Sequence, residues 1–282
     1  MPDRTIGIIS GGGELPERIA GAIGARGVRP LLLPIEGEGA QAASRYETRS
    51  IPWGGFGGLF DLLRAEGIEE IVFAGSIHAR PTLRTAKLDW TTARKLPELL
   101  RLLATGDDTI LSGIARMFEE EGVTVLGVGD AAPELLATAG PVGRNRPNAN
   151  QRRQIAEAFD VIRSLGPHDV GQAVVVCGRR VVAVEGIEGT DRMVDRVGTM
   201  RTIGRLPEGI DGVLAKRAKP GQDLRFDLPT IGVKTVKLAR LAGIRGIAVE
   251  AGRSVILDRD EVAAAADRHG LFVIGWSEKD GA

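Results

Sequence analysis

The sequence predicts an α/β protein in two parts: an N-terminal Rossmann-like parallel sheet over residues 1–140 and a C-terminal mixed α+β domain over 141–282. Three features predict it. Short apolar runs alternate with amphipathic stretches through the first half, the pattern of strands joined by crossover helices. A polar segment rich in Pro, Gly and Asn, residues 139–150, then interrupts that pattern and reads as a linker. Beyond it, two apolar runs separated by Gly178 and Arg179 read as an antiparallel hairpin. At 282 residues the chain is long enough for two well-buried cores.

In order, residues 5–9 are an apolar strand, followed by Ser10-Gly11-Gly12-Gly13-Glu14-Leu15-Pro16 and a helix to about Arg26. Residues 30–33 form a second strand and 49–53 a short third. Leu59, Leu62 and Leu63 fall on one side of a helix over 57–66. Residues 70–74 are a strand ending in Gly75, helices follow over 91–104 and 109–121, and a strand runs over 123–128. In the second half a helix over 151–165 precedes the hairpin, 173–177 with 181–185. A partly helical stretch over 189–200 and a strand over 212–216 come next. Residues 230–241 read as a helix, 247–250 and 254–258 as a strand pair, 260–269 as a helix and 271–276 as the closing strand.

Composition narrows the function. Apolar residues make up 43% and charged residues 26%, a globular balance, and Lys plus Arg equals Asp plus Glu at 37 each. With zero net charge no global field attracts nucleic acid. Cys177 stands alone, so neither an internal disulfide nor a cysteine-based zinc site is available, and it reads as a small core hydrophobe. The first residues lack the apolar stretch of a signal peptide, and no run approaches the roughly 20 apolar residues of a membrane span. A cytoplasmic protein is expected, with peripheral contact with the inner membrane and a homo-oligomer left open.

The most concentrated chemistry lies between Gly212 and Gly232, where Lys216 and Lys219 stand near Gln222, Asp223 and Asp227, ahead of a helix start at Thr230. Cations that grip phosphate, beside carboxylates that hold a divalent cation or orient water, are what phosphate-ester or diphosphate chemistry needs; the plain alternative is a charged connection. Glycines Gly11, Gly12 and Gly13 follow a strand and open a helix, where a backbone can approach a ligand closely and free amides favour an anion. Their spacing departs from the dinucleotide fingerprint, so they read as a generic phosphate or sugar-nucleotide loop, or as a tight turn. Gly75 ends a parallel strand, at the edge where open α/β sheets take ligands. His78, shortly after it, is a ligand contact or a surface histidine, and Asp107 and Asp108 precede a helix that Asp108 is suited to cap. Glu185, Glu188 and Asp191 are grouped with Gly186 and Gly189, which suits Mg²⁺ or, alternatively, a solvated turn. Thr190 caps the helix there, and Gln172 can donate hydrogen bonds to a ligand. His78, His168 and His269 form no metal-spaced pair, no Gly-x-Ser-x-Gly elbow is present, and no Walker lysine follows the glycine loop.

Taken in order, these segments resemble the two-domain, metal-dependent UDP-2,3-diacylglucosamine pyrophosphatases of lipid A synthesis, which are distinct from the calcineurin-like type. The resemblance runs nearly end to end, through Gly11-Gly-Gly-Glu-Leu-Pro16, Phe73-Ala-Gly75, Gly106-Asp-Asp108, Asp169-Val-Gly-Gln172, Glu188-Gly-Thr-Asp191, Gly212-Val-Leu-Ala-Lys216, Lys219-Pro220, Asp227-Leu-Pro-Thr-Ile-Gly232, Glu250-Ala-Gly252 and Gly270-Leu-Phe-Val273. It departs at Ile77-His78-Ala79, where the family often has one residue fewer before Arg80-Pro81. The resemblance implies hydrolysis of UDP-2,3-diacylglucosamine to UMP and 2,3-diacylglucosamine 1-phosphate with Mg²⁺, attack on the phosphorus nearer the sugar, and a lipid product lying between the domains. It makes Asp227 the essential aspartate.

The expected roles follow. Asp227 and Asp191 are the catalytic carboxylates, with Asp227 as general base or metal ligand. Asp227 and Glu188 hold the metal. Gly11, Gly12, Gly13, Gly75, Gln172, Thr190, Lys216 and Lys219 bind substrate. Two rivals stand beside this reading: a Rossmann-type NAD oxidoreductase, for which Glu36 lies near the end of the second strand, and a sugar-nucleotide sensor without hydrolase activity.

Overall fold

A computed structural model describes residues 4–38, 45–76, 107–207 and 209–277, with the backbone alone over 107–111. The expected helix over 91–104, His78, Arg80, Pro81 and Gly106 lie outside the described residues. Contacts divide the chain into two compact units: Met1–Glu134 with Asp223–Asp227, and Leu135–Gln222 with Leu228–Ala282.

The first unit is built on four parallel strands, β1 (Thr5–Ser10), β2 (Arg29–Pro34), β3 (Glu70–Ala74) and β4 (Thr124–Leu126), in the order β2-β1-β3-β4. Strand β1 is buried along its whole length, as expected of a strand hydrogen-bonded on both edges and covered on both faces. Helices α1 (Leu15–Ala25), α2 (Phe56–Ala65) and α3 (Asp107–Glu120) connect the strands. Helix α1 buries Ile19, Ala20 and Ile23 on one side, and α2 buries Leu59, Phe60 and Leu63. Phe118 of α3, 1% exposed, meets Phe60 and Phe73 edge-on at 5.1 and 5.7 Å between ring centroids.

Two expectations change here. Residues 49–53 make no strand of their own: Thr48 and Ile51 bridge Leu32 and Ile35 singly, and Pro52, which has no N–H to give, ends the run. The strand expected over 123–128 stops at Leu126 because Gly127 begins a new turn. Its N–H is accepted by Asp130 Oδ2 at 3.1 Å, opening the short helix α4 (Val128–Ala131).

The second unit carries a six-stranded mixed sheet. Its strands are β5 (Gly140–Pro141), β6 (Ala173–Cys177), β7 (Arg180–Val184), β8 (Gly212–Lys216), β10 (Ile244–Glu250) and β12 (Phe272–Trp276), ordered β5-β12-β10-β8-β6-β7. Strands β8, β10 and β12 are mutually parallel, while β5, β6 and β7 pair antiparallel. Helix α5 (Ala149–Leu165) covers one face with Ile155, Ala158, Phe159 and Ile162. Helices α6 (Gly189–Thr202), α7 (Val233–Leu241) and α8 (Arg259–His269) supply Val194, Val197, Val236, Ala239, Val262 and Ala266 to the other core cluster.

The polar stretch 139–150 is part of this unit. Gly140 and Pro141 pair with β12, and Asn148 caps α5 in a reciprocal arrangement with Gln151, both bonds at 2.9 Å. The helix expected over 230–241 begins only at Val233. Thr230 and Ile231 form β9 (Thr230–Ile231), paired with β11 (Val255–Ile256). The expected pairing of 247–250 with 254–258 therefore does not occur: β8 and β12 occupy both edges of β10, and β11 finds β9 instead. The lone Cys177 is buried, as expected, and burial pushes its thiol pKa up. No helix among the described residues is long and apolar enough to cross a membrane.

Gly246 of β10 is fixed by packing, since a Cβ there would lie 2.0 Å from the Phe272 ring. Gly246→Ala is expected to cost about 1–3 kcal/mol, through overpacking. Urea denaturation reads this as a lower midpoint with an unchanged slope; an unchanged midpoint would show that the ring has room to move.

Candidate active site

Within the first unit, chemistry gathers at the C-terminal edge of the parallel sheet. The chain leaving β1 hydrogen-bonds to the chain leaving β3: Gly11 N–H donates to Ala74 O at 2.9 Å, Gly12 N–H to Ser76 O at 2.8 Å, and Ser76 N–H to Gly12 O at 2.9 Å. The amides of Gly11 and Gly12 are thus engaged by main chain. The glycine that permits this close approach is the one just after β3. Gly75 has φ +87°, and a Cβ on it would sit 2.5 Å from Gly12 O. Gly13, at φ +98°, is exposed with open space around it.

The segment Asp223–Asp227, far along the chain, packs into this same unit. Phe226 stacks on Phe73 at 4.9 Å, two residues before Gly75. Asp223 accepts from Arg225 Nη2 at 2.7 Å and from the Arg225 N–H at 3.1 Å, closing a tight turn. Arg225 Nη1 reaches Glu119 Oε1 of α3 at 2.9 Å. Hydrogen bonding from Arg225 is the main cause that holds the Asp223 carboxyl below its ordinary range, against partial burial. Asp227 follows this braced turn and is exposed.

Within the second unit, a polar network sits where β6 begins and β8 ends. Glu185, 7% exposed, accepts the Gln172 N–H on Oε2 at 2.9 Å and the Thr190 hydroxyl on Oε1 at 2.6 Å. Gln172 Oε1 faces Gln222 Nε2 at 3.5 Å, and Gln222 Oε1 accepts the Lys219 N–H at 2.8 Å. The Lys219 ammonium is bonded to Asp169. Lys216, 6% exposed at the end of β8, donates to Thr230 O at 3.2 Å. Next to it, Arg217 pairs with Glu250 at 2.8 Å and lies over the Phe159 ring. Four of the expected substrate residues, Gln172, Thr190, Lys216 and Lys219, therefore belong to one stretch of hydrogen-bonded structure.

The expected acids are arranged differently. Glu188 accepts from Arg196 at 2.8 Å, and Asp191 is paired with Lys234 at 2.6 Å, an interaction that raises the Lys234 pKa. Asp227 belongs by its contacts to the first unit, whereas Glu188 and Asp191 belong to the second. Among the described residues no group of three His, Cys, Asp or Glu side chains is gathered as a metal cage. Mg²⁺ needs only one or two carboxylates when substrate phosphates supply other oxygens, so the residues fit an ion that arrives with a diphosphate better than one held beforehand. Sequence reasoning grouped Glu185 with Glu188 and Asp191 as suited to Mg²⁺ and did not single out Gln222 as a partner of Gln172. In the fold Glu185 takes hydrogen bonds from Gln172 and Thr190 instead, and Gln172 and Gln222 lie 50 residues apart, so no local pattern marks that pair.

Comparison with known proteins gives two family matches that together span the chain. Residues 5–135 match the LpxI N-terminal domain and residues 138–274 the LpxI C-terminal domain. The UDP-2,3-diacylglucosamine pyrophosphatase LpxI of Caulobacter vibrioides is 39% identical over 279 residues, covering 96% of this chain and 97% of that protein.

The brace at Asp223 has a pH consequence. A carboxyl whose pKa is depressed by folding adds stability above its unfolded value, about 4, and loses it as pH falls through the lower folded value. Acidification is therefore expected to speed amide exchange at 223–227 below about pH 4, and Asp223→Asn to remove that acid limb; exchange without any acid limb in the unsubstituted chain would refute the brace.

Proposed function

This chain belongs to the LpxI family, and from that premise we propose that it hydrolyses the diphosphate of UDP-2,3-diacylglucosamine to UMP and 2,3-diacylglucosamine 1-phosphate, a step of lipid A biosynthesis. The structural observation that carries the reading is Lys216: a lysine only 6% exposed, ending a parallel strand with its ammonium on the Thr230 carbonyl. An ammonium fixed in place at a strand end offers a set point charge to a phosphate oxygen. Neither rival is favoured, since the relative matched along almost its whole length is a pyrophosphatase.

A diphosphate repels an anionic nucleophile until its own charge is offset. Lys216 supplies a cation whose stem is already immobilised, so little reorganisation accompanies contact with a phosphate oxygen. Lys219 supplies a second, steadied through Asp169 and Gln222. Asp227 takes the proton of the attacking water, and the water oxygen bonds to phosphorus as the bond to the bridging oxygen breaks. Where Asp227 is instead a metal ligand, it would hold Mg²⁺ arriving with the diphosphate, and the ion would supply positive charge at the phosphates. Glu188 is paired with Arg196 and Asp191 with Lys234, so each carboxylate takes part only on leaving, or through, that partner. The acylated substrate is met by peripheral contact with the inner membrane, on its cytoplasmic side.

Asp227→Asn and Asp227→Ala are expected to lower kcat by about 10²–10⁴, the usual contribution of a positioned acid or base. Circular dichroism and urea midpoints should stay as in the unsubstituted chain. Near-normal turnover of either variant in a UMP-release assay would remove Asp227 from the reaction.

A further inference from the structure

The Glu185 carboxylate answers a question that the phosphate chemistry leaves open: which part of the substrate meets Thr190. Glu185 is 7% exposed, and it accepts from the Gln172 N–H and the Thr190 hydroxyl, one on each oxygen. Its placement is enforced from behind, because a Cβ on Gly171 would lie 2.6 Å from Glu185 Cβ and Cγ. The carboxylate also lies at the N-terminal end of α6, a 14-residue helix whose dipole favours a negative charge there. Its position and orientation are thus set by the fold.

A carboxylate only accepts hydrogen bonds, and a hydroxyl has a single proton. With that proton on Glu185 at 2.6 Å, Thr190 Oγ1 has only lone pairs left to offer. Thr190 itself is half-buried. A phosphate oxygen is itself an acceptor and gains nothing from such a group. Resting on the proposed hydrolysis, we infer that Glu185 is a positioning residue that turns Thr190 into an acceptor, so that Thr190 reads a hydrogen-bond donor on the acylated amino sugar, either its amide N–H or a free hydroxyl. Through the Gln172 N–H, the same carboxylate fixes the start of β6, to which the Lys219 loop is tied by Gln222. Sugar recognition and phosphate contact thereby share one anchor.

The test uses the full chain with the standard substrate and a panel of analogues, each lacking one sugar donor: the amide exchanged for an ester, or one free hydroxyl for fluorine. At least one analogue should raise KM by about 10-fold or more on the unsubstituted enzyme, the size expected for a charge-assisted hydrogen bond. Thr190→Val should bring the penalty for that analogue below about 2-fold, and Thr190→Ser should restore it. Glu185→Gln should raise KM for the standard substrate while changing kcat much less. Were Thr190→Val to discriminate across the whole panel as the unsubstituted enzyme does, or to weaken every substrate equally, the inference would fall. Glu185→Gln with an unaltered KM would overturn it as well. Failure of the underlying hydrolase reading looks different, since the unsubstituted chain would then release no UMP from the standard substrate.

Discussion

A lysine withdrawn from water at the end of a parallel strand is the constraint around which the second unit is organised. Strand β8 is buried along its whole length, so the backbone delivers Lys216 into an environment where an ammonium is poorly solvated. Its ammonium donates to the Thr230 carbonyl, on the short strand β9 that pairs with β11. Polar groups that would also be costly to bury alone are joined nearby: Glu185 with Thr190 and Gln172, Gln222 with Lys219, Arg217 with Glu250. Such networks add little net stability over an apolar core of the same shape.

The C-terminal edge of the first unit's sheet is built by a different device, close approach of backbone. Two strand ends hydrogen-bond to each other through Gly11, Gly12 and Ser76, at a separation that a side chain on Gly75 would prevent. Onto that edge the chain returns a five-residue segment, anchored by Phe226 on Phe73 and braced by the Asp223–Arg225–Glu119 pairs. An exposed Asp227 is thereby carried on a turn stiffened by its neighbours.

Much of this was legible in the sequence where local physics decides. The run 212–216 is apolar because both faces of β8 are covered, and its strand bounds are met residue for residue. Helix α8 ends at His269, the expected limit, and the left-handed Gly270 follows it. Where partners come from far along the chain the reading faltered. Nothing local shows that Val255 and Ile256 pair with Thr230 and Ile231, nor that Glu188 and Asp191 are taken by Arg196 and Lys234. The carboxylate group at 185–191 looked like a metal site because all three acids are close in sequence. In the fold one is buried under hydroxyl and amide donors and the other two are ion-paired.

The account turns on whether Lys216 is buried for a ligand or for the fold, and substitution by an uncharged side chain of similar length separates the two. Lys216→Met removes the desolvated charge and keeps the packing. The expected result is an unchanged or higher urea midpoint, together with a fall in UMP release of about 100-fold or more, the cost of losing one group that offsets charge in the transition state. A variant that unfolds more easily yet turns over normally would contradict it, and would make Lys216 a structural residue.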